Sequence, residues 1–165
     1  VVPLFKPFTL DKLRAVGRLW GIVFLCNIIG TALASLFFLT TDLFTPNIDK
    51  ALDELAHHVA SFSATQNLLK GVMSGLLIAA LVWMLPSVSN KFLVIFFMTY
   101  LIGLGDFTHV VVGSTEMSYL VWQGEASLGE YMFNFLIPTT IGNIIGGTGV
   151  FTLLIYGQVT EELEQ

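Results

Sequence analysis

The sequence predicts an all-α, polytopic helical membrane protein, and three observations carry that prediction. Over 165 residues it is 55% hydrophobic and only 12% charged, with mean hydropathy +0.79, about half the charge that a soluble domain carries. Its apolar residues gather into four runs, each long enough to cross a hydrocarbon core of about 30 Å at about 1.5 Å per helical residue. Fourteen Phe and 15 Gly suit helices that approach closely in lipid, where small residues let backbones meet.

The same composition excludes several classes. A net charge of -5 offers no basic patch for nucleic acid. Cys26 stands alone in an apolar run, so no intramolecular disulfide forms. No nucleophile with a base, no HExxH and no cysteine pair is present, which argues against an enzyme and gives no reason to expect a cofactor or metal. Position 1 is Val and no signal-peptide pattern is seen, so a longer chain is expected upstream.

Taken as one membrane domain over 1–165, the elements run as follows. Residues 1–17 form a short polar lead-in with Pro3 and Pro7, and Thr9 or Asp11 is placed to cap a helix. Lys6, Lys12, Arg14 and Arg18 precede a first span over about 19–39, with Trp20 near the inner interface. Residues 42–67 form an outer connection. In it Ile48, Leu52, Leu55, Val59 and Phe62 repeat by four and three, predicting a rim helix with Asn47 as its cap. His57 and His58 are adjacent and point apart on such a helix, a poor spacing for a metal. A second span over about 68–85 ends at Pro86.

The third run, 92–122, is much longer than one crossing needs, and Gly103, Gly105, Asp106, Thr108 and His109 lie at its middle. That pattern predicts helix, irregular turn, helix, an arrangement tolerated at membrane depth where protein or a water-filled cavity satisfies the freed backbone groups. An ionisable residue there is a functional candidate; the competing reading is a His that bonds a neighbouring helix. A polar outer turn, 123–129, leads to a fourth span over about 131–156, interrupted by Pro138, Gly142, Gly146, Gly147 and Gly149. The tail, 158–165, is acidic and expected in solvent. Lys6, Lys12, Arg14, Arg18 and Lys91 then fall inside, against Lys50 and Lys70 outside, so both ends of this chain are expected in the cytoplasm.

A repeat is visible as well. Asn27-Ile28-Ile29-Gly30 in the first span matches Asn143-Ile144-Ile145-Gly146 in the fourth, each with a Thr (Thr31, Thr148) within two residues. The two spans run in opposite directions, and inverted repeats put substrate sites near the bilayer midplane. Either Asn serves as a hydrogen-bonding helix contact or as a substrate contact.

These residues resemble a known family. Ile137 to Gly147 (IPTTIGNIIGG) is similar to the last-helix signature of the formate/nitrite transporters, and Gly105 to Val111 (GDFTHVV) to their broken helix with a central His. Lys70 to Gly75 with Val82-Trp83-Met84 resembles their fourth helix. The likeness covers about Arg18 to Tyr156. It implies an aquaporin-like channel fold, six helices as two inverted repeats, of which this chain supplies helices three to six, and a homo-pentamer with a pore in each protomer. It further implies that His109 is the central histidine, Asn143 the final-helix Asn, and Ile102 an apolar constriction on the cytoplasmic side. Thr108 stands where the family often has Glu, with Asp106 as a candidate substitute; Gly113 and Gly75 stand where Asn is usual. These departures mark a divergent branch.

The function expected from this is a transmembrane channel or transporter for small monovalent anions or their weak acids, embedded in the lipid of a bacterial inner membrane, with His109 as proton donor or hydrogen-bond post. The predicted outer acids Asp42, Asp49, Asp53, Glu54, Glu116, Glu125 and Glu130 repel anions. They leave room for a neutral-solute or water channel. A non-conducting scaffold is the third reading.

Overall fold

The computed structural model describes residues 9–41 and 43–163, with side chains as far as Gly157. Pro3, Pro7, Lys6 and Asp42, and the exposure expected of the acidic tail, lie outside the described residues.

All regular structure among the described residues is helical. Helix α1, Leu10–Thr40, begins at Thr9, whose hydroxyl accepts the Lys12 N–H and so satisfies one of the first-turn donors. Its 31 residues make about 47 Å at the helical rise, more than a bilayer core needs. Helix α2, Pro46–Ala60, starts from Thr45 with Pro46 in its first turn. The start is therefore two residues before the expected Asn47 cap; proline's fixed φ and missing N–H suit that position. Helix α3, Ala64–Met84, opens on a capping box in which Ser63 and Gln66 bond reciprocally.

The third apolar run divides as its pattern required. Helix α4, Lys91–Leu104, and helix α5, Val110–Gln123, have 14 residues each, about 21 Å apiece, so neither crosses alone. The closing segment differs from expectation. Short α6, Leu128–Glu130, a π-helical stretch Tyr131–Leu136, α7, Ile137–Ile144, a second π-helical stretch Ile145–Val150, and α8, Phe151–Leu163, follow one another without a break. Pro138 and the glycines are absorbed by changes of helical register instead of interrupting the span. Leu128–Gly157, α1 and α3 are each long and apolar enough to cross a membrane.

Packing is inside-out relative to a soluble protein. Of the seven largest fully buried side chains, Asn67, Thr139, Ser35, Ser74 and Ser114 are polar, against Phe135 and Leu120. Meanwhile Phe92, Leu153 and Phe133 are 77%, 72% and 70% exposed, as expected where lipid or a neighbouring protein is the solvent. α3 lies against the closing helix through Gly71, Gly75, Gly142 and Gly146. A Cβ on Gly146 would strike the Val72 carbonyl, and one on Gly75 the Asn143 backbone. α1 packs on α5, and the Trp122 indole donates to the Ala32 carbonyl at 3.0 Å. α2 lies across the far end of α5.

Candidate functional site

The break between α4 and α5 is held by polar side chains from three helices. No proline lies within it; instead Asp106 carries the one left-handed non-glycine backbone among the described residues, φ 55°, a conformation that short polar residues tolerate best. Gly105 ends α4 at φ -81° and is needed for space, since a Cβ there would meet the Phe107 ring. Gly103 remains helical with open space around it.

Below Asp106 the chain is clamped. Thr108 is buried; its hydroxyl donates to the Asn67 carbonyl at 3.0 Å, and its own carbonyl accepts from Ser74 Oγ at 2.6 Å. Asn143 brackets the same turn. Its Nδ2 lies 2.9 Å from the Gly71 carbonyl, 2.9 Å from Ser74 Oγ and 3.2 Å from the Thr108 carbonyl, while Oδ1 accepts the Val110 N–H at 3.0 Å. His109 is the N-cap of α5 and makes no side-chain capping bond, so Asn143 supplies the acceptor that the first turn needs. One turn back from Pro138, which has no N–H, the Asn134 carbonyl accepts from the Asn67 amide at 2.8 Å.

Above the clamp, Asp106 is tied twice. Lys70 Nζ donates to its carbonyl at 3.0 Å and to Oδ2 at 2.9 Å, and His58 Nε2 sits 3.0 Å from Oδ1. Lys70 also lies over the Phe62 ring, 4.4 Å from its centroid. Sequence order alone makes Lys70 a charge of the outer face; it is instead built into the mouth of the break, paired with the Asp106 carboxylate that the resemblance offered as a substitute for the family's Glu.

Cavities reach His109 from opposite ends. One of about 360 Å³ lies on the α2 side and is lined by His58, Phe62, Ile102, Asp106, Glu116 and His109 among others. Another of about 690 Å³ lies on the Pro86 side, between α3 and the closing helix, and is lined by Ile78, Trp83, Asn143, Phe151 and again His109. A third of about 590 Å³ opens beside α1, lined by Trp20, Asn27, Asn143 and His109. Nδ1 of His109 is buried with no hydrogen-bond partner among the described residues. Ile102 stands in the wall of the α2-side cavity and not on the side of Pro86.

Of the residues picked from sequence, His109, Asp106, Thr108 and Ile102 thus meet around one cavity. Asn143 touches the break from the other side and spends its amide on protein groups. Asn27, its partner in the repeat, is exposed, and Gly30 has nothing near it. Missed were Lys70, Asn67 and Ser74, which act across 36, 41 and 34 residues of sequence.

A broken helix whose break presents an imidazole to cavities on two sides is an arrangement that membrane channels and transporters use. The chain belongs to the formate/nitrite transporter family: the model of that family, Formate/nitrite transporter, matches residues 8–157. It is 37% identical over 164 residues to the inner membrane protein YfdC of Escherichia coli (strain K12), a match covering 99% of this chain and 53% of that protein. It is 29% identical over 143 residues to the uncharacterized transporter YrhG of Bacillus subtilis (strain 168), covering 83% and 53%. The chain therefore spans about half the length of these curated relatives. A solved structure described as a pentameric formate channel with formate bound shares the fold, with TM-score 0.76 at 21% identity over 90% of this chain and 68% of that one. This is an integral membrane protein of a family of transporters, not of enzymes.

Proposed function

We propose that this chain forms part of a channel or transporter for small monovalent anions of the formate and nitrite class, or their weak acids, and that His109 is the group the solute meets at the midplane. The observation that carries the reading is the position of His109, common to cavities on both sides. A bare anion entering a narrow apolar passage loses hydration it cannot replace. An imidazole can hydrogen-bond the anion and share or pass a proton near neutral pH, so that the acid crosses uncharged. Asn143, Thr108 and Ser74 position the break that presents the ring.

Assembly as a homo-pentamer is part of this proposal, supported by the fold shared with a pentameric channel and by the large exposed apolar surface. So is a bacterial inner membrane with both ends of this chain in the cytoplasm, supported by Lys12, Arg14, Arg18 and Lys91 at one end of the helices. A neutral-solute channel is the second reading, favoured by the acids Asp49, Asp53, Glu54 and Glu125 around α2. Formate and nitrite uptake into proteoliposomes holding the full-length protein tests the choice. Uptake that His109→Phe abolishes supports the first reading; uptake of uncharged solutes alone supports the second.

A further inference from the structure

The adjacent histidines of α2 do point apart, and each finds a different partner. His58 meets Asp106 at the mouth of the break. His57 turns towards the far end of α5 and stands between two carboxylates from separate elements: Asp53, one turn earlier on α2, and Glu125, in the turn that follows α5. One ligand atom from each of the three lies within 4.8 Å of the other two, and all three side chains are about half-exposed, so ions in water reach them. The one lysine of α2, Lys50, pairs with Glu54 at 3.6 Å. Hydrogen bonding then fixes the ring. Nδ1 lies 3.0 Å from the Asp53 backbone carbonyl, which can only accept, so Nδ1 carries a hydrogen and donates it. Nε2 of the neutral ring is therefore a lone pair, and it faces a Glu125 oxygen at 2.8 Å. Two acceptors at that distance need a cation between them, either a second proton or a metal ion.

An N–H donated to a backbone carbonyl, with the opposite nitrogen left as the ligand, is the way metal-bound histidines are oriented. One imidazole and two carboxylates form a donor set that zinc accepts, with a fourth position for water, whereas Mg2+ and Ca2+ prefer oxygen alone. We propose that Asp53, Nε2 of His57 and Glu125 form a binding site for a divalent transition-metal ion of the zinc class, which staples α2 to the end of α5. The ligand atoms, now within 4.8 Å of one another, close by side-chain rotation to the spacing of about 3.3 Å that a tetrahedral ion with bonds of about 2.0–2.1 Å requires. The ion takes the place that a second proton holds in the metal-free protein, and that proton goes to water. Leu55, His58 and Val59 of the same helix line the α2-side cavity, so a bound ion fixes one wall of it. The site stands whichever solute passes.

The test is calorimetric titration of the full-length protein in detergent, stripped with EDTA and free of any histidine tag, with zinc chloride near neutral pH and magnesium chloride as the comparison. One Zn2+ per protomer is expected to bind at micromolar concentration or below, without a matching Mg2+ signal, and to slow amide exchange in 46–60 and 123–126. X-ray absorption at the zinc edge is expected to show one imidazole and oxygen donors at about 2.0–2.1 Å. His57→Ala and Glu125→Gln, both at half-exposed side chains that the fold does not need, are each expected to weaken binding by at least about tenfold, since losing even an outer partner of a metal ligand costs about 10–100-fold. Zinc binding only at millimolar concentration, or an affinity that neither variant changes, overturns the site. Zinc that His58→Ala removes and His57→Ala retains also overturns it, because the ion would then sit at Asp106, and a sulfur donor in the absorption spectrum overturns it in favour of Cys26.

Discussion

Oδ1 of Asn143 accepts the backbone N–H of Val110 at 3.0 Å, so a side chain of the closing helix caps the half-helix that begins at the break. The other end of the same amide holds the carbonyls of Gly71 and Thr108. The break is thus a bridged joint between α3, α5 and α7, and not a loose loop.

Replacing Asn143 by Asp exchanges the donor for an acceptor facing two carbonyls, and each buried group left unsatisfied costs about 1–3 kcal/mol. Asn143→Asp is expected to lower the thermal midpoint of the detergent-solubilised full-length protein clearly below that of the wild type. An unchanged midpoint would show that the amide is dispensable for the joint.

Asp106 at φ 55° carries both a backbone cost and two charged partners. Asp106→Gly relieves the first and loses the second; Asp106→Ala loses the second and keeps a left-handed Cβ, which costs about 1–2 kcal/mol. The expected order of stability is Asp, then Gly, then Ala. Chemical denaturation of the three proteins in one detergent measures it.

An open glycine and an interface glycine should separate sharply. Gly103 has open space, so Gly103→Ala is expected to be neutral or to stabilise α4 by about 0.5–1 kcal/mol. Gly146→Ala drives a Cβ into the Val72 carbonyl and is expected to force α3 from the closing helix, with loss of yield and of thermal stability. Size-exclusion profiles alongside melting curves report both.

Much of this was legible in the sequence, and what was not has a common cause. Hydropathy and length gave the all-helical membrane fold, and the concentration of Gly105, Asp106 and His109 in a run too long for one crossing located the break between α4 and α5. Pro138 and Gly146 read as interruptions because sequence shows a lost N–H or a missing Cβ but not the helical register that absorbs them. The Lys70–Asp106–His58 chain was invisible since it joins residues 36 and 48 positions apart. Asp53 and His57 do carry a signal, their i, i+4 spacing on one helix face, but Glu125 completes that group from another element.

α2 is fastened to the end of α5 by His57, whose Nε2 lies 2.8 Å from Glu125 Oε2. Its pKa is raised, first by the Asp53 backbone carbonyl and then by the Asp53 and Glu125 carboxylates. A folded-state pKa above the unfolded value contributes stability that is complete below about pH 6.5 and is lost as pH rises through the raised value. Amide hydrogen exchange in 46–60 is therefore expected to quicken, after correction for intrinsic rates, as pH passes from about 6 to 8. His57→Gln is expected to remove that dependence.

Solvent access to His109 from both sides is measured most directly by placing a thiol there. In full-length protein with Cys26, exposed on α1, changed to Ala, His109→Cys is expected to react with membrane-impermeant methanethiosulfonates added to either face, as Glu116→Cys does from the α2 side and Ser87→Cys from the other. A His109→Cys protein that stays unmodified from both faces while those two controls react would contradict a path through the imidazole.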